Sequence, residues 1–240
     1  MSRSPFALHR RLLAWSVHVF TASGMLAGFA ALVAITKSDW RSAGIWLMVG
    51  LIIDGVDGTF ARLWKVSEVL PHVKGKMIDY VIDFANYAII PAFFIYQSGL
   101  IEDPVLNAVA AGSILLVSAI YYGMDGMVSE DFFFVGFPVL WNLVAFYLFF
   151  VFDWPEWMTF SCILLMAVLH FVPIKFMYPS QATQWRWMHV SVSALTMLSL
   201  ALLIVTYPQR SLVFFWLATF GAVYFFFMAV YFTWIRPVRL

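Results

Sequence analysis

Charge is the first thing this sequence is short of. Only 11% of its 240 residues are Asp, Glu, Lys or Arg, against about a quarter in soluble domains. So few charges cannot cover a globule of this size, which excludes a soluble protein and a disordered chain. Nor is the charge one-sided. Fourteen basic and thirteen acidic residues leave a net +1, so the basic footprint of a nucleic-acid binder is missing and no nucleic-acid partner is expected. Cysteine is nearly absent: the lone Cys162 lies in an apolar run, and neither a disulfide framework nor a thiolate metal site can be built from it. Ten-residue alternation of polar and apolar positions is also lacking, which excludes a transmembrane barrel. What the chain has is apolar length, with 63% hydrophobic residues and a mean hydropathy of +0.88. The sequence predicts an all-α, polytopic integral membrane helix bundle.

A helix crosses the hydrocarbon with about 20 apolar residues. Candidate spans cover 14–35, 41–62, 74–99, 105–124, 137–152, 157–174, 188–206 and 211–235, about eight in all, with the fifth and sixth short. The first is roughly 22 residues long, beyond the 7–15 of a secretory apolar region, and reads as a retained anchor. With the N-terminus in the cytoplasm, the inner segments hold every Lys and Arg except Lys37, Arg41 and Arg210. The positive-inside rule therefore places both termini on the cytoplasmic side.

Four acids stand where lipid should be. Asp54 and Asp57 end the second span in LIIDGVDGTFAR, and Asp79 and Asp83 begin the third in GKMIDYVIDFANY. Each carboxylate at bilayer depth costs on the order of 2.5 kcal/mol or more, so the four should face the bundle interior and share a partner. Spacings of three and four put each pair on one helix face, and the short basic connection makes the two helices antiparallel neighbours. Like charges brought together need cations. All-oxygen ligands favour Mg²⁺ or Mn²⁺ over zinc, and four carboxylates can hold two ions about 3.5–4 Å apart, a clamp for displacement at phosphorus. Gly55, Gly58 and Gly75 allow close backbone approach by a substrate. Arg62 offers a fork for phosphate. Two other readings compete: helix-end ion pairs with Arg62, Lys74 and Lys76, and an ion-coupled transporter, whose acids should lie nearer the midplane on repeated halves.

The run Asp54-x2-Asp57-Gly58-x2-Ala61-Arg62, followed by Gly75-x3-Asp79-x3-Asp83, resembles the signature of the CDP-alcohol phosphatidyltransferase family. The twelve residues between Arg62 and Gly75 exceed the usual family spacing and are similar to the bacterial phosphatidylcholine synthase branch, as are VHVFTASG, VLPHVKGKMID and VGFPVLWNLVAFYL. The resemblance implies a six-helix family core over 1–187, with two additional helices over 188–240, in a bacterial inner membrane with the active site on the cytoplasmic side. It implies transfer of the phosphatidyl group from CDP-diacylglycerol to choline, with release of CMP. Asp54, Asp57 and Asp79 would then ligate Mn²⁺ or Mg²⁺, two ions being expected. Asp83 would be the catalytic base and a further ligand, and Asp57, Gly58, Ala61, Arg62 and Gly75 would contact the CDP portion. Another acceptor, such as serine, inositol phosphate or glycerol phosphate, is the alternative within the class. A homodimer is left open.

Choline has no hydrogen-bond donor on its ammonium and is held by aromatic faces, with or without a carboxylate. Between the fourth and fifth spans the chain reads YYGMDGMVSEDFFFVGFP, then reaches Trp141. Tyr121, Tyr122, Asp125 and Trp141 are the candidate choline-binding residues. This loop also holds Glu130 and Asp131 but no Lys or Arg, which favours a cationic acceptor over a phosphorylated one. Thr21, Ser23 and Gly24 in the first span line either a nucleotide pocket or a helix contact.

Overall fold

The computed structural model describes residues 6–124, 126, 133–179, 181 and 184–235. Its elements, in chain order, are α1 (Leu8–Thr36), α2 (Trp40–Leu63), a short α3 (Val66–Val69), α4 (Gly75–Gln97), α5 (Pro104–Tyr122), β1 (Phe133–Val135), α6 (Trp141–Val151), α7 (Glu156–Leu169), β2 (Lys175–Met177), α8 (Arg186–Thr206) and α9 (Leu212–Ile235). Six of them, α1, α2, α4, α5, α8 and α9, are long and apolar enough to cross a membrane. The protein is a multi-pass membrane bundle.

The count of about eight spans is corrected for α6 and α7, which are apolar but shorter than 18 residues. At 1.5 Å per residue they reach only about 17 and 21 Å, short of a hydrocarbon core of about 30 Å. The loss falls at 137–140 and 170–174, while the break between the two helices lies where the sequence places it. Phe152 ends α6 in an extended conformation, and Pro155 pushes the residue before it out of helical geometry. At the outer ends of the two helices the apolar residues leave the helix, and the nearby β1 and β2 pair antiparallel with Phe133 opposite Met177 and Val135 opposite Lys175.

The chain separates into two compact units that meet in sequence at Ile90 and Pro91. In the first, α1 buries a stripe at Ala14, Val17, Thr21, Gly24, Gly28 and Ala31, and α2 answers with Ala43, Gly44, Leu47 and Gly50. Small residues let membrane helices approach closely, where apolar area alone supplies no drive. Between them, Ser38 takes a positive φ of 53°. Asp39 then caps α2, its Oδ1 accepting from the Ser42 amide at 3.1 Å. Within α4 the turn Ala85–Ile89 is a wider π turn, placed just before Pro91, whose ring does not tolerate a regular turn behind it.

In the second unit α5 begins at Pro104, with Asp103 accepting from the amides of Val105 and Leu106, both at 2.9 Å. The Glu156 carboxylate, at the start of α7, accepts from the amides of Glu102 and Asp103 at 2.6 and 3.0 Å. The hairpin of α8 and α9 brings Gly221 against Thr196, where a Cβ would collide with the threonine hydroxyl. The outer faces carry exposed Leu26, Phe29, Ile52, Phe220 and Phe226, a surface matched to lipid and not to water.

Candidate metal and nucleotide site

The end of α2 and the start of α4 bring Asp54, Asp57 and Asp79 together. One carboxylate oxygen from each lies within 4.8 Å of the other two. Asp57 is buried, and Asp54 and Asp79 are half-buried. The spacing that puts both acids of α2 on one face now meets the first turns of α4 across a connection that includes the short α3. The donor set is all oxygen and anionic, which suits a hard divalent cation. No ion pair joins these acids to Arg62, Lys74 or Lys76 among the described residues; the ion pair nearby in sequence is Lys65 with Glu68, at 3.7 Å. Lys76 instead sits over the Tyr80 ring, 5.2 Å from its centre.

Neutral donors hold the cluster. The Thr21 hydroxyl of α1 donates to the Asp57 carboxylate, so the packing stripe of the first helix also serves the acids. Tyr87 donates its hydroxyl to Asp54 Oδ2 at 2.6 Å. Asp83 stands against Asp54 at hydrogen-bonding distance. Its Oδ1 is buried and has no partner. Arg62 is exposed at the end of α2 and donates to Thr59 Oγ1 at 3.3 Å. It folds over Gly58, where a Cβ would come 3.3 Å from its Nη1. Ala61 packs with Phe60 on the buried cluster of Ala14, Val17, Val66, Val69 and Leu70. At Gly75 a Cβ would meet the His18 imidazole at 3.1 Å, so this glycine lets α4 start against α1.

No family model matches the chain. A protein from Rhizobium johnstonii named phosphatidylcholine synthase is 39% identical over 237 residues, covering 95% of this chain and 96% of that protein. The chain belongs to the phosphatidylcholine synthase family. Proteins of the same name from Agrobacterium fabrum and Pseudomonas aeruginosa are 40% and 38% identical over 193 and 195 residues, covering 80% and 81% of this chain and 78% and 81% of the respective relatives. Membership makes this chain an enzyme of phospholipid synthesis.

The other residues expected to matter in a phosphatidylcholine synthase lie in the second unit. Tyr121 and Trp141 are buried; Tyr121 donates its hydroxyl to the Val135 carbonyl at 3.0 Å and Trp141 its indole N–H to Ser118 Oγ at 2.9 Å. His170 stacks on the Trp141 ring at 5.3 Å and meets the edges of Tyr121 and Phe137, each at 5.4 Å. Tyr122 is half-buried. Asp125, with Glu130 and Asp131, lies outside the described residues. His170, Tyr87 and the Thr21 contact are what sequence reasoning missed or left undecided. A hydroxyl or imidazole inside an apolar helix leaves no periodic signal, and Tyr87 could have been found only by continuing the four-residue stripe beyond Asp83.

Proposed function

We propose that this enzyme transfers the phosphatidyl group of CDP-diacylglycerol to the hydroxyl of choline and releases CMP, in a reaction that requires Mn²⁺ or Mg²⁺. The observation that supports it is the convergence of Asp54, Asp57 and Asp79 on a chain alike over nearly its whole length to a protein named phosphatidylcholine synthase. In this reading those three acids ligate metal, with two ions and Asp83 as a further ligand in the fullest form of the site. A divalent ion there would offset charge on the diphosphate and on the departing CMP. Asp57, Gly58, Ala61, Arg62 and Gly75 hold the CDP portion, Arg62 through its guanidinium and Gly58 by keeping the backbone open.

The choline oxygen attacks the phosphorus that bears the diacylglycerol. The bond from that phosphorus to the bridging oxygen breaks, CMP leaves with the oxygen, and the choline proton passes to Asp83. General-base help of this kind contributes about 10²–10⁴-fold. On the acceptor side Tyr121, Tyr122, Asp125 and Trp141 are the residues proposed to hold the choline ammonium. Residues 1–187 make the catalytic core, the last two helices are additions to it, and the site faces the cytoplasm of a bacterial inner membrane.

The test is CMP release by purified protein with CDP-diacylglycerol and Mn²⁺, with choline, serine, inositol phosphate or glycerol phosphate as acceptor. Release with choline alone, abolished by EDTA and restored by Mn²⁺ or Mg²⁺, is expected. Release with another acceptor removes the choline assignment, and full activity in EDTA removes the metal.

A further inference from the structure

We propose that Tyr87 is a positioning residue for Asp54, and that the widened turn Ala85–Ile89 is what delivers it. The inference rests on the metal reading given above. On α4 the residues Asp79, Asp83 and Tyr87 recur every four positions. In a regular α-helix each such step passes a full turn by about 40°, so the third member would stand about 80° round from the first. A π turn holds more residues per turn. The step from Asp83 to Tyr87 enters the π turn Ala85–Ile89, loses that overshoot, and keeps the tyrosine beneath the acids. Its side chain is 5% exposed, and its hydroxyl donates to Asp54 Oδ2 at 2.6 Å.

The turn itself is clamped by the residue before Tyr87. Asn86 is 3% exposed, and its Nδ2 donates to the Gly24 carbonyl of α1 at 3.0 Å. A Cβ at Gly28 would run into Asn86 Oδ1, and one at Gly50 of α2 would lie 3.2 Å from Nδ2. Gly28 on one helix and Gly50 on another therefore make room for one amide, the Gly24 carbonyl accepts from it, and that amide holds the π turn in place. With one oxygen committed to Tyr87, the Asp54 carboxylate is fixed about its own bond and presents a set orientation to Asp57 and Asp79. Hydrogen bonds of this kind to a ligating group tune metal affinity about 10–100-fold.

The test is Mn²⁺ binding to substrate-free protein in nanodiscs, read by electron paramagnetic resonance, beside kinetics against Mn²⁺ concentration. Y87F keeps the ring and removes only the donor. It is expected to weaken Mn²⁺ about 10-fold, to raise the Mn²⁺ requirement of CMP release more than it lowers the rate at saturating Mn²⁺, and to lower the melting temperature no further than the loss of one hydrogen bond does. Unchanged Mn²⁺ affinity in Y87F, whether or not the melt shifts, overturns the proposal. A parent chain that binds no Mn²⁺ overturns the metal reading itself. A second measurement does not depend on the variant folding: 3-fluorotyrosine placed at position 87 should shift its fluorine resonance on addition of Mg²⁺, and a resonance that stays still counts against the assignment.

Discussion

The acid cluster of the first unit and the aromatic cluster around His170 in the second bury polar groups in opposite ways. Around His170 the donors are spent on neighbours: Tyr121 on Val135, Trp141 on Ser118, while His170 Nδ1 meets the Met166 carbonyl at 2.8 Å. The rings then close on one another. At the acids the neighbours supply two hydroxyls, from Thr21 and Tyr87, to four carboxylates. Aromatic packing of the first kind leaves one buried atom, His170 Nε2, without a partner and is otherwise closed by its own neighbours. Four carboxylates with no cation within ion-pair reach among the described residues are poorly balanced by the chain, and three of them are compatible with a divalent ion. That difference separates a wall from a site.

The largest effect should come from Asp57→Asn, which removes the buried carboxylate of the cluster. Mn²⁺ binding and CMP release are both expected to fall by more than the about 100-fold that an outer hydrogen bond can cost. Retained Mn²⁺ affinity would make the acid cluster as self-sufficient as the aromatic one. Asp83→Asn should come next, lowering turnover by about 10²–10⁴-fold while CDP-diacylglycerol binding persists. Equal turnover would deny Asp83 the proton. Trp141→Phe probes the other side of the contrast: losing the bond to Ser118 and part of a fully buried ring should cost about 2 kcal/mol or more of stability, and Mn²⁺ affinity should not change.

Smallest is Asp39→Ala at the helix cap, worth at most about 1 kcal/mol at neutral pH. The Ser42 hydrogen bonds, with Arg41 and Lys37 beside them, hold the Asp39 carboxyl below the usual range. A group held down in the folded state stabilises above its unfolded value and loses that contribution as pH falls through its folded one. The melting difference between parent and D39A should therefore close in acid. A difference that persists at low pH would mean that the cap acts through something other than its charge.

Much of the site was legible in the sequence because charge in an apolar run is conspicuous. Asp54 with Asp57 and Asp79 with Asp83 declare a shared face by spacing alone; three of the four bring an oxygen within 4.8 Å of one another, and Asp83 stands against Asp54. Bundle class followed from composition in the same way. Length was harder. The stretches 137–140 and 170–174 are apolar but leave the helix, so hydropathy extended α6 and α7 beyond what the backbone forms. The supporting residues were hidden for a different reason. Thr21 and Tyr87 differ from their apolar neighbours by one hydroxyl each, and the π turn that aims Tyr87 has no pattern of its own.

The room that Gly28 and Gly50 leave for Asn86 has a consequence for how this enzyme tolerates change. A saturation scan should show two islands of intolerance in the first unit, one at the acids and one inside the helices where no reacting group lies. A single added methyl at Gly28 would push on Asn86, twist the turn it anchors, and reach the chemistry without touching a reactant. On the metal reading proposed above, alleles of that kind would be taken for folding defects until their Mn²⁺ affinity was measured.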